Sequence, residues 1–421
     1  MSKNWYVRSI IFFMSILANA ETIDDRINED IKKIHDIEKE IKYDKTLKDP
    51  DEVRIENEEN ISAELNKDFT LSKKLKIDLK KGKKQNSLKL INNANFLFNE
   101  EIVEWDKDNH GVIIEDMNLM YIVNNKKIEN TNNIGYNNSI TLRSKYQYIK
   151  NSKNAILKNI LLESFSKELS VLDNEGTIYN SGIDSTSLKD ISFINRKKGL
   201  LYNNNMTLKS FQNLNFKNEG KIDYDKNFQR QIIIYSDKRA DFINSGTINA
   251  STIDIYVLDL VSDESSKYRN RYLNFLNTKT GIIKALGFTY LTYNINFKNF
   301  GNIEMEDESY IDSFTGLIEN NGRIKGNVNI LREISSLDDE EVKKYPPLIV
   351  NLQNGTLEGN LILHRKNINE TIVTIKSMDN VTGTLDSSIG DNDTLRLIGS
   401  GEVKDKNKFK DFEKINLQNS N

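Results

Sequence analysis

The phrase Asn-x-Gly-x-Ile/Leu recurs along this chain, and alternating apolar and polar residues follow it. It occupies positions 174–178, 218–222, 244–248, 299–303 and 320–324. Two further segments, 321–330 and 354–363, share the longer template Asn-Gly-x-Ile/Leu-x-Gly-Asn-Val/Leu-x-Ile/Leu. A glycine-containing turn followed by a short strand, repeated, is typical of a stacked β-solenoid.

The residue types in this phrase suit a corner between two strands. Glycine adopts the positive φ angles that a tight corner requires, and asparagine is the next most tolerant residue there. Asparagines stacked at one corner of successive turns would be able to hydrogen-bond one another as a ladder. After each corner, alternate Ile, Leu and Val are expected to face inward, with Thr, Asn, Lys and Asp facing outward.

The spacing of the phrase indicates the size of one turn. Gly220 and Gly246 lie 26 residues apart, and Gly301 and Gly322 lie 21 apart, which fits one turn of a parallel β-helix. Longer gaps indicate an unmarked turn or an inserted loop. The alternative is an antiparallel sandwich, because Asn-Gly also favours hairpins. The matched templates at Gly322 and Gly355 favour stacking, and we predict a mainly β solenoid.

Composition limits the kinds of protein that this chain can be. The 421 residues carry 59 basic and 62 acidic side chains, and the net charge of −3 predicts no electrostatic footprint for nucleic acid. Hydrophobic residues make up 37% and charged residues 29%, which is enough for a narrow core and too polar for a membrane protein. The absence of cysteine excludes disulfides and thiolate metal sites.

Residues 1–20 have the pattern of a secretory signal peptide. Lys3 and Arg8 supply the basic region, 10–17 the apolar stretch, and Ala-Asn-Ala at 18–20 the cleavage site. The apolar run is shorter than the roughly 20 residues that span a bilayer. The alternative is a short buried helix. We predict export across the inner membrane, with a mature chain that begins at Glu21.

Residues 21–46 are predicted to form an amphipathic helix that precedes the solenoid. Its isoleucines recur every three or four residues, at Ile23, Ile27, Ile31, Ile34, Ile37 and Ile41. We interpret it as a helix that packs on the end of the solenoid; the alternative is self-association through the isoleucine stripe. Residues 47–90 are dense in charge and are interpreted as a solvated spacer. The β-helix domain is predicted over 91–421.

Two stretches interrupt the repeats. Residues 261–271 are polar and charged, and 335–347 carry four consecutive acids before two lysines and two prolines. Both are predicted to be loops that leave the column. Such insertions gather on one face, where solenoids often bind partners, although either loop alone is slightly better interpreted as neutral decoration.

Two motifs follow one another near the C-terminus. Residues 390–401 read Gly-Asp-Asn-Asp-Thr-Leu-Arg-Leu-Ile-Gly-Ser-Gly, and 409–417 read Phe-Lys-Asp-Phe-Glu-Lys-Ile-Asn-Leu. In this order they resemble the passenger domains of classical autotransporters (type V secretion). In that family, a Gly-Asp-x-Asp-Thr-Leu-x-Leu turn is commonly followed by Phe-x-x-Phe-Glu-x-Ile-x-Leu. With the Asn-x-Gly repeats, the resemblance covers residues 176–421.

The resemblance implies a right-handed parallel β-helix, displayed outside a bacterial outer membrane as an adhesin or in host interaction. Implied partners are the export machinery, a cell-surface ligand of unknown identity, and a separate or missing outer-membrane β-barrel. The family normally ends in a translocator β-barrel, and no run of such strands occurs before Asn421. We therefore expect a fragment, a truncated product or a passenger exported by other means, with a periplasmic location if the barrel is absent.

Patterns for catalysis and metal binding are weak. Residues 106–117 imitate a calcium-binding EF-hand loop, but His110 stands at position 5, and Met117 stands where the loop needs a bidentate glutamate. An exposed hairpin turn explains this stretch better. No nucleophile or phosphate-binding motif accompanies the three histidines. We predict no catalytic, cofactor-binding or metal-binding residues.

Two other functions stay open. Some β-helices are polysaccharide lyases or hydrolases with acids clustered in a groove, so a secreted carbohydrate-active enzyme is the alternative. Outward-facing Asp223, Asp254 and Glu358 are the candidates for such a cluster. A truncated passenger without a function is the third hypothesis.

Overall fold

The computed structural model describes residues 22–48, 60–71, 76–77, 86–98, 111–131, 139–226, 229–258, 271–333, 346–366, 368–399 and 406–418. These residues wind into a parallel β-solenoid of about 12 turns, which confirms the fold that the repeats predict. The helix α1 (Ile23–Glu40) precedes the strands. The predicted signal peptide lies outside the described residues.

The strands follow in chain order. The first part contains β1 (Lys45–Lys48), β2 (Ile61–Leu65), β3 (Phe69–Leu71), β4 (Lys76–Ile77), β5 (Ser87–Asn92), β6 (Asn95–Phe98), β7 (Gly111–Asn124), β8 (Lys127–Asn130), β9 (Ser139–Asn151), β10 (Ile156–Lys158), β11 (Leu161–Asn174) and β12 (Thr177–Tyr179). The middle part contains β13 (Gly182–Ser187), β14 (Asp190–Asn195), β15 (Leu200–Tyr202), β16 (Asn205–Ser210), β17 (Asn213–Asn218), β18 (Lys221–Asp223), β19 (Gln231–Ser236), β20 (Arg239–Asn244), β21 (Thr247–Val257), β22 (Tyr272–Asn277), β23 (Ile282–Asn299) and β24 (Asn302–Met305). The last part contains β25 (Ser309–Asn320), β26 (Arg323–Lys325), β27 (Val328–Glu333), β28 (Leu348–Asn351), β29 (Thr356–Glu358), β30 (Leu361–Lys366), β31 (Thr371–Ile375), β32 (Leu385–Asp386), β33 (Asp393–Ile398), β34 (Phe409–Lys410) and β35 (Lys414–Gln418), with 3-10 helices at Met378–Asn380 and Lys406–Lys408.

Each turn contributes to three parallel sheets. Sheet A contains β14, β17, β20 and the strands stacked on them; sheet B contains β12, β15 and β18; sheet C contains β13, β16 and β19. Neighbouring turns pair in register, so that Phe193 lies beside Phe216 and Tyr179 beside Tyr202. Because side chains alternate along each strand, every sheet has an inner face on the core and an outer face.

A stack of phenylalanine rings fills the core behind sheet A. Phe193, Phe216, Phe242, Phe275 and Phe297 are buried in five successive turns. Neighbouring rings lie 4.6–5.2 Å apart between centroids and within 13° of parallel. The stack follows from register, because each turn places its inward phenylalanine over the one before it.

The predicted asparagine ladder is present at the corner between sheets A and B. Each member except the last donates from Nδ2 to Oδ1 of the asparagine one turn further on, over 2.7–2.9 Å. Most members donate their second amide hydrogen to a backbone carbonyl of that next turn, as from Asn92 to Lys127 O at 3.2 Å. The last member, Asn320, donates to Thr356 O at 2.9 Å. The ladder runs through Asn92, Asn124, Asn151, Asn174, Asn195, Asn218, Asn244, Asn277, Asn299 and Asn320, all at most 2% exposed.

The glycines of this corner have a different role from the one that the sequence predicts. Gly220 and Gly246 do not adopt left-handed φ angles. A Cβ added at Gly246 would lie 2.0 Å from Gly220 O in the preceding turn, so glycine is required by close backbone contact. Positive φ angles occur instead at the next corner, between sheets B and C, at Asn180 (47°), Asn203 (57°) and Gly326 (122°).

Helix α1 lies along the outer face of sheet A, not on the end of the solenoid. Ile34 packs with Leu119, Tyr148 and Leu169 of three successive turns. At the N-terminal end of α1, Ile23 and Ile27 pack against Ile194. Two ion pairs fix the direction of α1: Arg26 contacts Asp241 at 2.8 Å, and Lys89 contacts Glu38 at 2.8 Å. The isoleucine stripe is therefore used within the chain, since the outer face of sheet A is apolar beneath it.

A carboxylate in this interface gives the docking of α1 a pH dependence. Asp30 accepts a hydrogen bond from Ser192 Oγ at 2.6 Å, and burial raises its pKa from 3.8 to about 6. A raised pKa means that the docked state favours the protonated acid. The contribution of Asp30 to docking is therefore complete below about pH 4 and is lost as the pH rises through about 6, a difference of at most about 3 kcal/mol.

We expect Asp30→Asn to strengthen the docking of α1 at about pH 7.5 and to have little effect near pH 4, because the amide cannot ionise. Hydrogen exchange of the α1 amides in both proteins measures this. Burial lowers the pKa of His35, so protonation of His35 weakens the docking of α1 in acid. This effect is the same in wild type and in Asp30→Asn, and it cancels from the comparison. Asp36→Asn, at an exposed position of the same helix, is the control; equal exchange in wild type and Asp30→Asn at both pH values would contradict the expectation.

The solenoid begins before the predicted boundary at residue 91. β2 lies within the range assigned to a spacer, and Ile61 pairs with Leu88 of β5 in the register of sheet A. Ile61, Ala63 and Leu65 alternate inward and are buried. These strands are short and separated by charged residues, which hides their period-two pattern in the sequence.

Candidate binding face

The three outer faces of the column differ in what already occupies them. Over the N-terminal half, sheet A is covered by α1, as the burial of Leu119, Leu169 and Val171 shows. Further along sheet A, Asn274 donates to Asp241, and Asn296 donates to Asn274, so outward polar groups bond one another. Sheet A therefore presents little unused surface over the turns beneath the helix.

Sheet B carries charges that are paired within the sheet. Glu129 contacts Lys158 at 2.7 Å and also Lys127. Further along, Arg323 bridges Glu304 at 3.0 Å and Glu358 at 2.7 Å. Because hydrogen bonds from Arg323 satisfy the Glu358 carboxylate, its pKa lies below the usual value. Each acid in this set has a cationic partner in the protein, so these acids offer little unsatisfied negative charge to a ligand.

Sheet C carries three acids without ion-pair partners, whereas Asp312 and Asp386, further along the same sheet, are paired with Arg332 at 2.9 Å and with Lys410 at 3.0 Å. Glu163, Asp184 and Asp254 lie in one outward row, and none of them makes an ion pair in the part of the chain that the structure describes. Glu163 accepts a hydrogen bond from Thr141 Oγ1 at 2.8 Å, and Asp254 accepts one from Thr252 Oγ1 at 3.1 Å. The N-terminal and middle turns of sheet C therefore carry acids that keep unused acceptor capacity.

A groove of about 490 Å³ opens on sheet C at its N-terminal turns. Glu163 and Asp184 are Cα partners on neighbouring strands within it. Although Asp184 is exposed, partial desolvation raises the pKa of its carboxyl; Lys209 opposes this rise and the Glu163 carboxylate adds to it. The groove is lined by Thr141, Arg143, Glu163, Ser164, Phe165, Asp184 and Thr186.

A second outward row runs beside the acids and contains aromatic rings. Phe165 pairs with Thr186, and Thr186 pairs with Lys209 in the next turn. The row continues with Tyr235 and Tyr256, whose rings stack at 5.0 Å between centroids and 16° between planes. The ammonium of Lys209 lies 5.7 Å from the centroid of Tyr235. The face thus presents acids and rings side by side along the column.

The three acids suggested for an enzyme site are not brought together. Asp223 and Glu358 lie in sheet B, in ion pairs with Lys221 at 2.5 Å and Arg323 at 2.7 Å. Asp254 lies in sheet C. Glu163 and Asp184, which the sequence analysis does not single out, are the acids that do adjoin. They lie 21 residues apart, which equals the shortest spacing between repeats. This spacing is the one feature of the sequence that indicates that they are neighbours.

The described histidines and the described part of the EF-hand-like stretch lie in separate elements of the fold. His35 lies in α1, with its ring centroid 5.2 Å from that of Tyr148, and His364 lies within β30. Residues 106–110 of the EF-hand-like stretch, including His110, lie outside the described residues, while 111–117 belong to β7, where Met117 is buried. In the described ranges no group of three or more His, Asp or Glu side chains is placed to hold a metal ion, and no helix is long and apolar enough to cross a membrane.

The two predicted loops lie almost entirely outside the described residues, but their anchors are placed. One connects β21 to β22 and the other connects β27 to β28, so both leave from the edge between sheets C and A. Near the second anchor, Arg365 is fully buried and donates to Phe314 O at 2.9 Å and Asn369 Oδ1 at 3.1 Å. Burial lowers the pKa of Arg365 to about 10. The anchors of both insertions therefore lie at the border of sheet C.

Comparison with protein families, with curated proteins and with solved structures finds no match to this chain.

Proposed function

We propose that this chain is an exported, autotransporter-like passenger that binds a component of a host or neighbouring cell through the outer face of sheet C. The observation that carries the proposal is the contrast between the faces. Sheet A is covered by α1 over its N-terminal half and the described acids of sheet B are paired, whereas Glu163, Asp184 and Asp254 of sheet C are not. Export and surface display rest on the signal-like residues 1–20 and on the C-terminal motifs.

The mode of binding follows from the shape of the solenoid. Successive turns are spaced about 4.8 Å apart along the column, so the outer face presents the same kind of contact at regular intervals. The groove beside Phe165 is open and not enclosed. Affinity is therefore expected from many weak contacts with an extended partner, helped by the insertions at the edge of the face.

Surface display is tested by treating intact cells with trypsin. Lys343 and Lys344 lie in the predicted loop 335–347, and we expect cleavage there while a periplasmic marker stays intact. A Lys343→Gln/Lys344→Gln variant is the control, because it should lose the fragment pair without losing the protein. Protection of the loop until the outer membrane is opened would rule out display at the surface.

A further inference from the structure

The groove on sheet C has a chemical pattern that narrows the class of its ligand. Glu163 and Asp184 supply adjacent carboxylates on neighbouring strands. Phe165, in the neighbouring outward row, pairs with Arg143 on one side and Thr186 on the other. The groove therefore places acceptor oxygens, one apolar ring and threonine hydroxyls on a single open surface.

We propose that this groove binds a neutral, polyhydroxylated glycan chain that lies along the column. Phe165 is the platform for the apolar face of a sugar ring, and Glu163 and Asp184 accept hydrogen bonds from its hydroxyls. This inference names the ligand class for the binding face and rests on the function proposed above.

The acceptor capacity of the two acids supports a hydroxyl-rich ligand. An ionised carboxylate has about four acceptor sites and no donor, so it pairs with groups that donate. Glu163 accepts a hydrogen bond from one hydroxyl, Thr141 Oγ1, and neither acid has an ion pair among the described residues. Sugar hydroxyls are neutral donors that occur in pairs. A carboxylate can therefore accept hydrogen bonds from them without a positively charged partner.

Of the aromatic rings on the outer face of sheet C, Phe165 is the best placed to pack against a sugar ring. Tyr235 and Tyr256 stack on each other, so their faces are turned toward neighbouring turns and their edges point outward. Phe165 has Arg143 and Thr186 as its neighbours in the row and is half-buried beside the groove. A pyranose ring spans roughly the separation of two strands, so successive sugars of a chain along the column would meet successive turns.

Other ligand classes fit the groove less well. A basic peptide would bring like charge to Arg143 and Lys209, which lie on either side of the acids in the ring row. A protein partner usually inserts an apolar anchor into a pocket, whereas this groove is open and Phe165 is the one apolar residue that lines it. Calcium prefers six to eight oxygen ligands, and the groove supplies two carboxylates. An acidic glycan would be repelled by Glu163 and Asp184.

The test is a calorimetric titration of the purified protein with neutral hexasaccharides of glucose, mannose, galactose and N-acetylglucosamine. An oligogalacturonate of equal length and a lysine-rich peptide are titrated in parallel. We expect at least one neutral oligosaccharide to bind, and Phe165→Ala to weaken its binding at least about tenfold. Glu163→Gln and Asp184→Asn should each weaken it by about fivefold or more, because a carboxylate accepts stronger hydrogen bonds than an amide. Tyr202→Ala, which removes a stacked ring from sheet B, is the matched control and should bind as wild type.

Three results would overturn the proposal: none of the neutral oligosaccharides binds, Phe165→Ala binds as tightly as wild type, or only the peptide or the oligogalacturonate binds. Circular dichroism and thermal unfolding check that each variant is folded. If Phe165→Ala is not, Phe165→Leu removes the flat ring while keeping the apolar volume. If no oligosaccharide binds but trypsin cleaves the loop on intact cells, the protein is displayed and has another kind of ligand. The glycan proposal can therefore fail while the proposal of surface display stands.

Discussion

Replacing Asn218 by aspartate is expected to lower the free energy of unfolding by about 3–5 kcal/mol. The Asn218 amide donates to Asn244 Oδ1 at 2.8 Å and to Thr247 O at 3.3 Å, and it is fully buried. A carboxylate there would face those acceptor oxygens with no donor to give them. One hydrogen bond would survive, since Asn195 Nδ2 donates to Asn218 Oδ1 at 2.7 Å.

Urea unfolding followed by circular dichroism measures this effect. Because a protonated carboxyl group regains one donor, the variant should recover part of its stability in acid relative to wild type. Asn296→Asp provides the control: this residue faces outward on the same sheet, and its amide makes one long contact, 3.3 Å to Asn274 Oδ1. Equal losses for the two variants would mean that the ladder contributes nothing beyond an ordinary surface amide.

Replacing Phe242 by alanine is expected to cost about 3–5 kcal/mol. Its ring lies at the centre of the buried stack, 4.6 Å from Phe216 and 5.0 Å from Phe275 between centroids. The loss combines buried apolar surface, the cavity that remains and two ring contacts. Because each turn of a solenoid contacts only its neighbours, the cavity should also uncouple the turns on either side.

Calorimetry tests both parts of this expectation. The melting temperature should fall, and the single unfolding transition should broaden or split in Phe242→Ala. Phe300→Ala is the control, because that ring is 41% exposed at a corner and its removal should change the stability little. A sharp transition at the wild-type temperature in Phe242→Ala would show that the ring stack does not couple the turns.

The sequence predicts the solenoid and the ladder because both depend on short-range patterns. Inward positions alternate within a strand, and each ladder asparagine ends a strand of sheet A, as Asn195 and Asn218 do. Because the sequence repeat brings the same position of each turn into register, it is enough to predict that these side chains stack on one another. The strand at 61–65 is not recognisable in the sequence, because five residues between charged segments give too few alternations.

Features that depend on the packing of distant residues were not predicted correctly. The glycine at 246 was explained by its own φ angle, but the constraint is the carbonyl of Gly220, 26 residues earlier. The isoleucines of α1 predict an amphipathic helix, but they do not tell which surface it covers. The same holds for the candidate site, since only the register between turns shows that Glu163 and Asp184 are neighbours.

The ladder also gives the column an electrical polarity. Every ladder amide donates toward the C-terminal turns and accepts from the N-terminal side, from Asn92 to Asn320. Successive backbone carbonyls of a strand point alternately up and down the column, so their dipoles largely cancel along its axis, whereas these aligned side-chain dipoles add and polarise one another. The row therefore has its negative pole at Asn92 and its positive pole near Thr356, where the last amide donates. The two ends of the column are thus electrostatically distinct, independently of the charged residues on its surface.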